Sequence, residues 1–238
     1  MLDGFYRRLL DPGDLAFDVG AHVGDRTASF RRIGALVVAV EPQPVIARLL
    51  RLLFGRDDGV IRVAALVGAA PGVGTLWVNS RNPTVSTASA AFIAAADGAA
   101  GWEGQAWDTP IERPIVTLDQ IIAAHGRPAF IKIDVEGFEA EALLGLSEAP
   151  RALSFEFTTI QREVALACLD RLSALGYRAF NACIGEAMVF AHAASLGADD
   201  MAAWLLALPH GANSGDVYAS LEARRLVGGT DTRTGMPG

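Results

Sequence analysis

Long hydrophobic runs are missing from this 238-residue sequence. Half of the residues are apolar (51%), yet glycine, proline or charge interrupts them well short of the roughly 20 needed to span a bilayer, which excludes a transmembrane helix. The paired arginines near the start, Arg7 and Arg8, are not followed by an apolar stretch and a small-residue cleavage site. No secretory signal is therefore expected, and the cytoplasm is the expected compartment. Cysteine is scarce: Cys168 and Cys183 have neither C-x-x-C nor metal-ligand spacing, and both read as reduced thiols. Positive charge is not in excess either. A net charge of -7 disfavours a binder of phosphate backbones, which needs a basic face to displace counterions, so no nucleic-acid partner is expected. There is no nucleophile elbow and no run of closely spaced oxygen ligands, so neither a hydrolase triad nor a metal is expected.

What is present begins at residues 17–24, Phe-Asp-Val-Gly-Ala-His-Val-Gly. A short apolar strand runs into an acid and then two glycines four apart, the pattern of a nucleoside pocket. Asp18 puts a carboxylate at the end of the strand, and Gly20 and Gly24 are expected to let a ligand approach the backbone where a helix starts. A second apolar run, Leu36 to Val40, ends in Glu41, an acid well placed to hold both ribose hydroxyls. Dinucleotide folds usually carry G-x-G-x-x-G, whose middle glycine admits a pyrophosphate. Here His22 takes that position, and the Asp18 carboxylate would repel a pyrophosphate while attracting the ammonium and sulfonium of S-adenosylmethionine. The methyl donor is the favoured ligand. An NAD-dependent oxidoreductase and a non-catalytic adenosyl-binding module are the alternatives.

Apolar runs and breakers place strands near 15–19, 36–40, 60–65, 129–134, 152–157, 177–181 and 186–190, with helical periodicity between most of them. Alternating strands and helices imply a mostly parallel sheet covered on both faces, a three-layer α/β sandwich. The last two runs, separated by a few residues including Gly185, suggest an antiparallel hairpin at the sheet edge. The length suits one domain over residues 1–238. Residues 79–115 break the rhythm beside the carboxyl ends of the strands and read as a lid or acceptor-binding insertion. Gly74 to Val78 reads as an extra strand, and the tail from about residue 228 as disordered. Arg26, Arg31 and Arg32 read as a solvated helix face.

Residues 130–141, Phe-Ile-Lys-Ile-Asp-Val-Glu-Gly-Phe-Glu-Ala-Glu, form a second constellation. Ile131 and Ile133 fall on one face of a strand, Lys132 and Asp134 on the other. Asp134 would face a sulfonium from the strand end, with Glu136 at the entrance to the next helix. A buried Lys132 needs an anionic partner, and Glu156 on the adjacent strand is the natural candidate. Glu139 and Glu141 read as a solvated helix face. The helix near Met201 to Leu208 is expected to bury its apolar face within its own domain; oligomeric state is open.

Taken in order, Phe-Asp-Val-Gly-Ala-His-Val-Gly, Val-Ala-Val-Glu-Pro-Gln-Pro, Thr-Leu-Asp at 117–119 and Phe-Ile-Lys-Ile-Asp-Val-Glu-Gly-Phe-Glu make the chain resemble the FkbM family of methyltransferases over about residues 14–192. The resemblance implies a class I methyltransferase (Rossmann-like) fold, a seven-stranded sheet with its last pair antiparallel. It also implies methyl transfer from S-adenosylmethionine to a hydroxyl of a sugar or other natural-product acceptor. Carried over by position, Asp18, Gly20, Ala21, His22 and Gly24 would form the donor loop and Glu41 would bind ribose. Asp134 and Glu136 would line the reaction centre, with Glu136 the preferred base and His22 its understudy. The family commonly has Asn where this chain has His22, which makes a pH-sensitive contact possible there.

Overall fold

The computed structural model describes residues 2–228. Its strands and helices alternate as the hydrophobic periodicity demands: α1 (Leu2–Tyr6), β1 (Leu15–Val19), α2 (Asp25–Ile33), β2 (Leu36–Val40), α3 (Pro44–Phe54) and β3 (Val60–Val63). The short β4 (Leu66–Val67), β5 (Gly72–Val78), α4 (Ala90–Ala96) and β6 (Thr109–Val116) follow. The chain then continues through α5 (Leu118–His125), β7 (Phe130–Ile133), α6 (Glu139–Leu144), β8 (Ala152–Thr158), α7 (Arg162–Ala174), β9 (Ala179–Ile184), α8 (Ala198–Ala207) and β10 (Ser214–Ser220).

Seven strands form one sheet in the order β3-β2-β1-β7-β8-β10-β9, parallel except where β10 runs antiparallel between β8 and β9. This is the class I methyltransferase arrangement, with an antiparallel pair at one edge. Because alternate side chains leave a strand on opposite faces, the apolar strands feed two cores. Phe17, Val38, Ile131, Ile133, Leu153 and Phe155 pack with α5–α8 on one face. Ala16, Val37, Phe130 and Tyr218 pack with Phe5 and Tyr6 of α1 and Phe30 of α2 on the other. Phe17, Phe130 and Phe155 are wholly buried, each contributing roughly 1.5–3 kcal/mol relative to exposure. On α8, Met201 and Leu205 join the first core, so its apolar face is covered internally.

The edge pair has a different partner from the one the local spacing suggested. Residues 186–190 form no strand; Met188 and Phe190 turn inward onto the α1 side of the sheet. The chain reaches β9 only after about thirty further residues, through β10, where Val217, Tyr218 and Ala219 are fully buried. Contact with α1, remote in sequence, overrides the local pattern. The Thr-Leu-Asp motif also has a structural reason. Thr117 and Gln120 form a reciprocal cap at the start of α5, and Asp119 Oδ1 accepts from the Ser147 amide at 2.9 Å.

The segment that interrupts the alternation is folded. β5 and β6 pair antiparallel, with β4 alongside β6, as a separate three-stranded sheet. Between them, α4 is capped by Ser89, and Phe92, Trp102 and Trp107 build a small aromatic core with ring centroids 5.0 and 6.0 Å apart. Both cysteines are buried and free. Among the described residues, no helix is long and apolar enough to cross a membrane. The tail expected to be disordered lies, beyond Gly228, outside the described residues.

Candidate active site

Strand order reverses between β2 and β7 on either side of β1, which opens a crevice at the carboxyl ends of these strands. Three loops converge there. The turn after β1 is tied to β2 by the Gly20 and Ala21 amides, both donating to the Val40 carbonyl at 2.9 and 3.0 Å. The turn after β7 is tied to β1 by the Asp134 amide, which donates to Val19. The loop after β2 carries Glu41, whose two carboxylate oxygens accept from the His22 and Gln43 amides at 3.0 and 2.8 Å. Gly20, His22, Glu41, Gln43, Asp134 and Glu136 line the resulting cleft, and Leu66, Val67 and Leu76 give it an apolar wall.

Of the residues chosen from sequence, Gly20, His22, Glu41, Asp134 and Glu136 therefore meet in one place. Asp18, Ala21 and Gly24 do not line the cleft. Asp18 is wholly buried beneath it, with Oδ2 accepting from the Thr27 hydroxyl at 2.6 Å and Oδ1 left without a partner among the described residues. Burial pushes its carboxyl above the ordinary range despite the nearby Lys132. The glycines also serve a structural end. A Cβ on Gly20 would lie 1.7 Å from the Asp134 carbonyl oxygen, and one on Gly24 would lie 2.5 Å from the Phe54 ring. Gly20 lets the turn after β1 lie against the Asp134 backbone, and Gly24 lets the start of α2 pack against the Phe54 and Leu50 side chains of α3.

Two residues in the cleft are held in the left-handed backbone region without being glycine: His22 (φ 46°) and Glu136 (φ 55°). Such conformations persist where the surroundings over-determine them, and they cluster at functional sites. The Glu136 carbonyl accepts from the Thr87 hydroxyl at 2.6 Å. Glu139 fixes the same turn from inside: it is buried, and its Oε1 accepts from the Val135 and Gly137 amides at 2.9 and 3.3 Å. It is thus not part of a solvated face, whereas Glu141 is exposed. Likewise Arg26 pairs with Glu186, Arg31 with Asp57 and Arg32 with Asp3, so the three arginines of α2 are engaged in ion pairs instead of forming a free solvated face.

Lys132, buried on the polar row, bonds Asp134 Oδ2 at 2.5 Å and not Glu156. The pairing is two residues along one strand, since both side chains leave the same face. Burial works against the Lys132 ammonium, but Asp134, Asp18 and Asp216 hold its pKa above the usual value. Burial also acts to raise Asp134, and Lys132 overcomes it and keeps that carboxyl low. Glu156 instead completes a cluster: Asp134, Glu136 and Glu156 each bring a carboxylate oxygen within 4.8 Å of the others. Burial and this crowding push Glu136 and Glu156 well upward. The oxygens would suit a divalent cation, with Lys132 already supplying one positive charge. Nothing in the local sequence around Asp134 announces the cluster, because Glu156 arrives from the neighbouring strand.

Sequence reasoning missed Gln43, while Thr84, Ser86 and Ala88, which also line the cleft, belong to the segment read as a lid or acceptor-binding insertion. Gln43 Nε2 donates to the Pro83 carbonyl at 3.0 Å, and the Ser86 hydroxyl donates to Gln43 Oε1 at 3.2 Å. With Thr87 on Glu136, these bonds join the insertion to both sides of the cleft.

The Methyltransferase FkbM domain profile matches residues 18–179, more than half of the chain. The chain belongs to the FkbM methyltransferase family. Its family and fold are those of S-adenosylmethionine-dependent methyltransferases. No curated protein matches the sequence. Among solved structures, a precorrin-6y C5,15-methyltransferase from Geobacter metallireducens is 13% identical, with 90% of this chain and 84% of that one covered and a TM-score of 0.44. Aeropyrum pernix fibrillarin with natively bound S-adenosyl-L-methionine is 12% identical (88% and 67% covered, TM-score 0.45). A Thermotoga maritima SAM-dependent O-methyltransferase is 11% identical (91% and 62% covered, TM-score 0.45). Likeness of this degree says nothing about the acceptor.

Proposed function

We propose that this FkbM-family protein transfers the methyl group of S-adenosylmethionine to a hydroxyl of a sugar or other natural-product acceptor. The observation that carries the reading is the charge layout of the cleft: a buried Glu41 beside an apolar wall at one side, and the Asp134 and Glu136 carboxylates, with Glu156 close to them, at the other. Glu41 is suited to ribose hydroxyls, Leu66, Val67 and Leu76 to an adenine ring, and the backbone from Gly20 to His22 to the methionyl part. The donor supplies an electrophilic methyl on a positive sulfur, which passes to the acceptor oxygen as the carbon–sulfur electron pair stays with sulfur.

Asp134, held ionised by Lys132, gives that positive charge a counter-charge. Glu136 accepts the hydroxyl proton as the new bond forms. Its carboxyl is raised by burial and by Asp134, which makes it a stronger base once ionised, and a neighbouring cation favours the ionised form. Burial depresses the His22 imidazole, so it stays neutral near pH 7 and is the second candidate acceptor of the proton. The insertion, bonded to Gln43 and Glu136, serves as lid and acceptor wall. The net charge of -7 favours a small-molecule or glycan acceptor over nucleic acid, and the cytoplasm remains the proposed location.

The test has two parts. Calorimetric titration with S-adenosylhomocysteine should show selective binding, while NAD should give none; binding of NAD alone would reverse the assignment. Glu136→Gln should then lower turnover by about 10²- to 10⁴-fold with donor affinity nearly intact. Unchanged turnover would remove Glu136 from the role of base.

A further inference from the structure

A second cavity, of about 390 Å³, adjoins the cleft and has only Glu41 in common with it. Four arginines line it: Arg48 and Arg51, one turn apart on α3, Arg62 on β3 and Arg113 on β6. In a chain with an excess of acids, none of the four has an ion-pair partner among the described residues. Main-chain carbonyls hold two of them in place. Arg62 Nη1 donates to Phe54 and Val60 at 3.0 and 3.1 Å, and Arg113 Nη2 donates to Ala64 at 3.0 Å. The Arg113 Nε is buried with no acceptor among the described residues. The acid in the wall gives little relief, because both Glu41 oxygens already accept main-chain N–H bonds.

Cations gathered around one space repel each other unless an anion joins them, and a guanidinium fork matches the oxygens of a phosphate. Four positive charges exceed what a single carboxylate would balance. The cavity is larger than a phosphate group, within the roughly 300–1,000 Å³ of small-molecule sites, and Ala47, Leu50 and Val63 line it as well. We propose that this cavity binds a phosphate-bearing small molecule, its phosphoryl oxygens held by Arg48, Arg51, Arg62 and Arg113 and its organic part by the apolar wall. The site is separate from the methyl-transfer cleft, and its test does not depend on that reaction.

Calorimetric titration of the full chain with inorganic pyrophosphate should give one saturable event. Arg48→Ala combined with Arg51→Ala should weaken it by at least about tenfold, or about 1.4 kcal/mol. Both side chains are exposed and engage no hydrogen-bond or ion-pair partner among the described residues, so the fold should persist, as circular dichroism will verify. Arg7→Ala, at an exposed arginine outside the cavity, should bind as the parent does. The proposal fails if no saturable heat is seen, if Arg7→Ala weakens binding equally, or if succinate binds as tightly as pyrophosphate. It also fails if only a long polyanion such as heparin binds.

Discussion

Replacing Gly20 by alanine separates two uses of the glycine turn. If the glycine exists to admit a ligand, the variant should fold normally and lose only donor affinity. The structure adds a second use, because the added Cβ would stand 1.7 Å from the Asp134 carbonyl oxygen, about half a normal contact distance. Gly20 also sits at φ 78°, which costs an L-residue roughly 1–2 kcal/mol. Forcing β1 and β7 apart adds an overpacking term of about 1–3 kcal/mol. The sum, near 3 kcal/mol, should lower the melting temperature of the ligand-free protein by roughly 6–12 °C. Gly13 provides the control: its φ is 89°, but no atom lies within 4 Å of its virtual Cβ, so Gly13→Ala meets the strain without the clash. Calorimetric melting of both variants, followed by titration with S-adenosylhomocysteine, gives the comparison. Equal melting temperatures for the two variants, with binding lost only in Gly20→Ala, would refute the structural account of this glycine.

Three further outcomes follow from the same geometry. Burial raises the Glu41 carboxyl from 4.5 to about 7, so the folded state holds an extra proton between those values and ligand-free stability falls as pH rises through that window. The loss is on the order of 3 kcal/mol; Glu41→Gln should remove it, and parallel urea-midpoint curves for parent and variant between pH 5 and 8 would contradict the assignment. Lys132→Met, at the only lysine of the sequence, leaves the Asp134 and Asp18 carboxyls without their cation and should cost about 3–5 kcal/mol in urea unfolding. A change below about 1 kcal/mol would mean that the pair is not energetically coupled. Phe92→Ala removes the centre of the insertion's aromatic core, a truncation worth roughly 3–5 kcal/mol locally. Protease should then cut within residues 79–108 while the main sheet stays intact, and unchanged resistance would argue against an independently packed lid.

Much of the fold was legible because its central strands are short apolar runs with clear breakers. β1, β2, β7 and β8 begin and end close to where those runs do, and the acids at their tips, Glu41 and Asp134, meet in the cleft as the parallel order requires. The edge of the sheet was not legible. Gly215 and Asp216 break the apolar pattern of β10, while the better-patterned residues 186–190 are diverted to α1. Lys132 was read correctly as a buried cation needing an anion, but its partner is Asp134, two residues along on the same face, and not Glu156 on the neighbouring strand.

The sequence by itself determined the family, the layered α/β plan and the strand-end acids, because these rest on local periodicity and on motifs that each occupy one contiguous stretch. Tertiary structure alone decided that Asp18 lies beneath the cleft, that Gly20 and Gly24 make room for neighbouring protein atoms, and that Glu156 joins Asp134 and Glu136. It also decided that the insertion bonds to Gln43 and Glu136, and that four arginines from three separate elements surround one cavity. Each of these is a meeting of residues distant in sequence. Such meetings are set by how the strands pair and how the helices pack over them, and no local pattern records either.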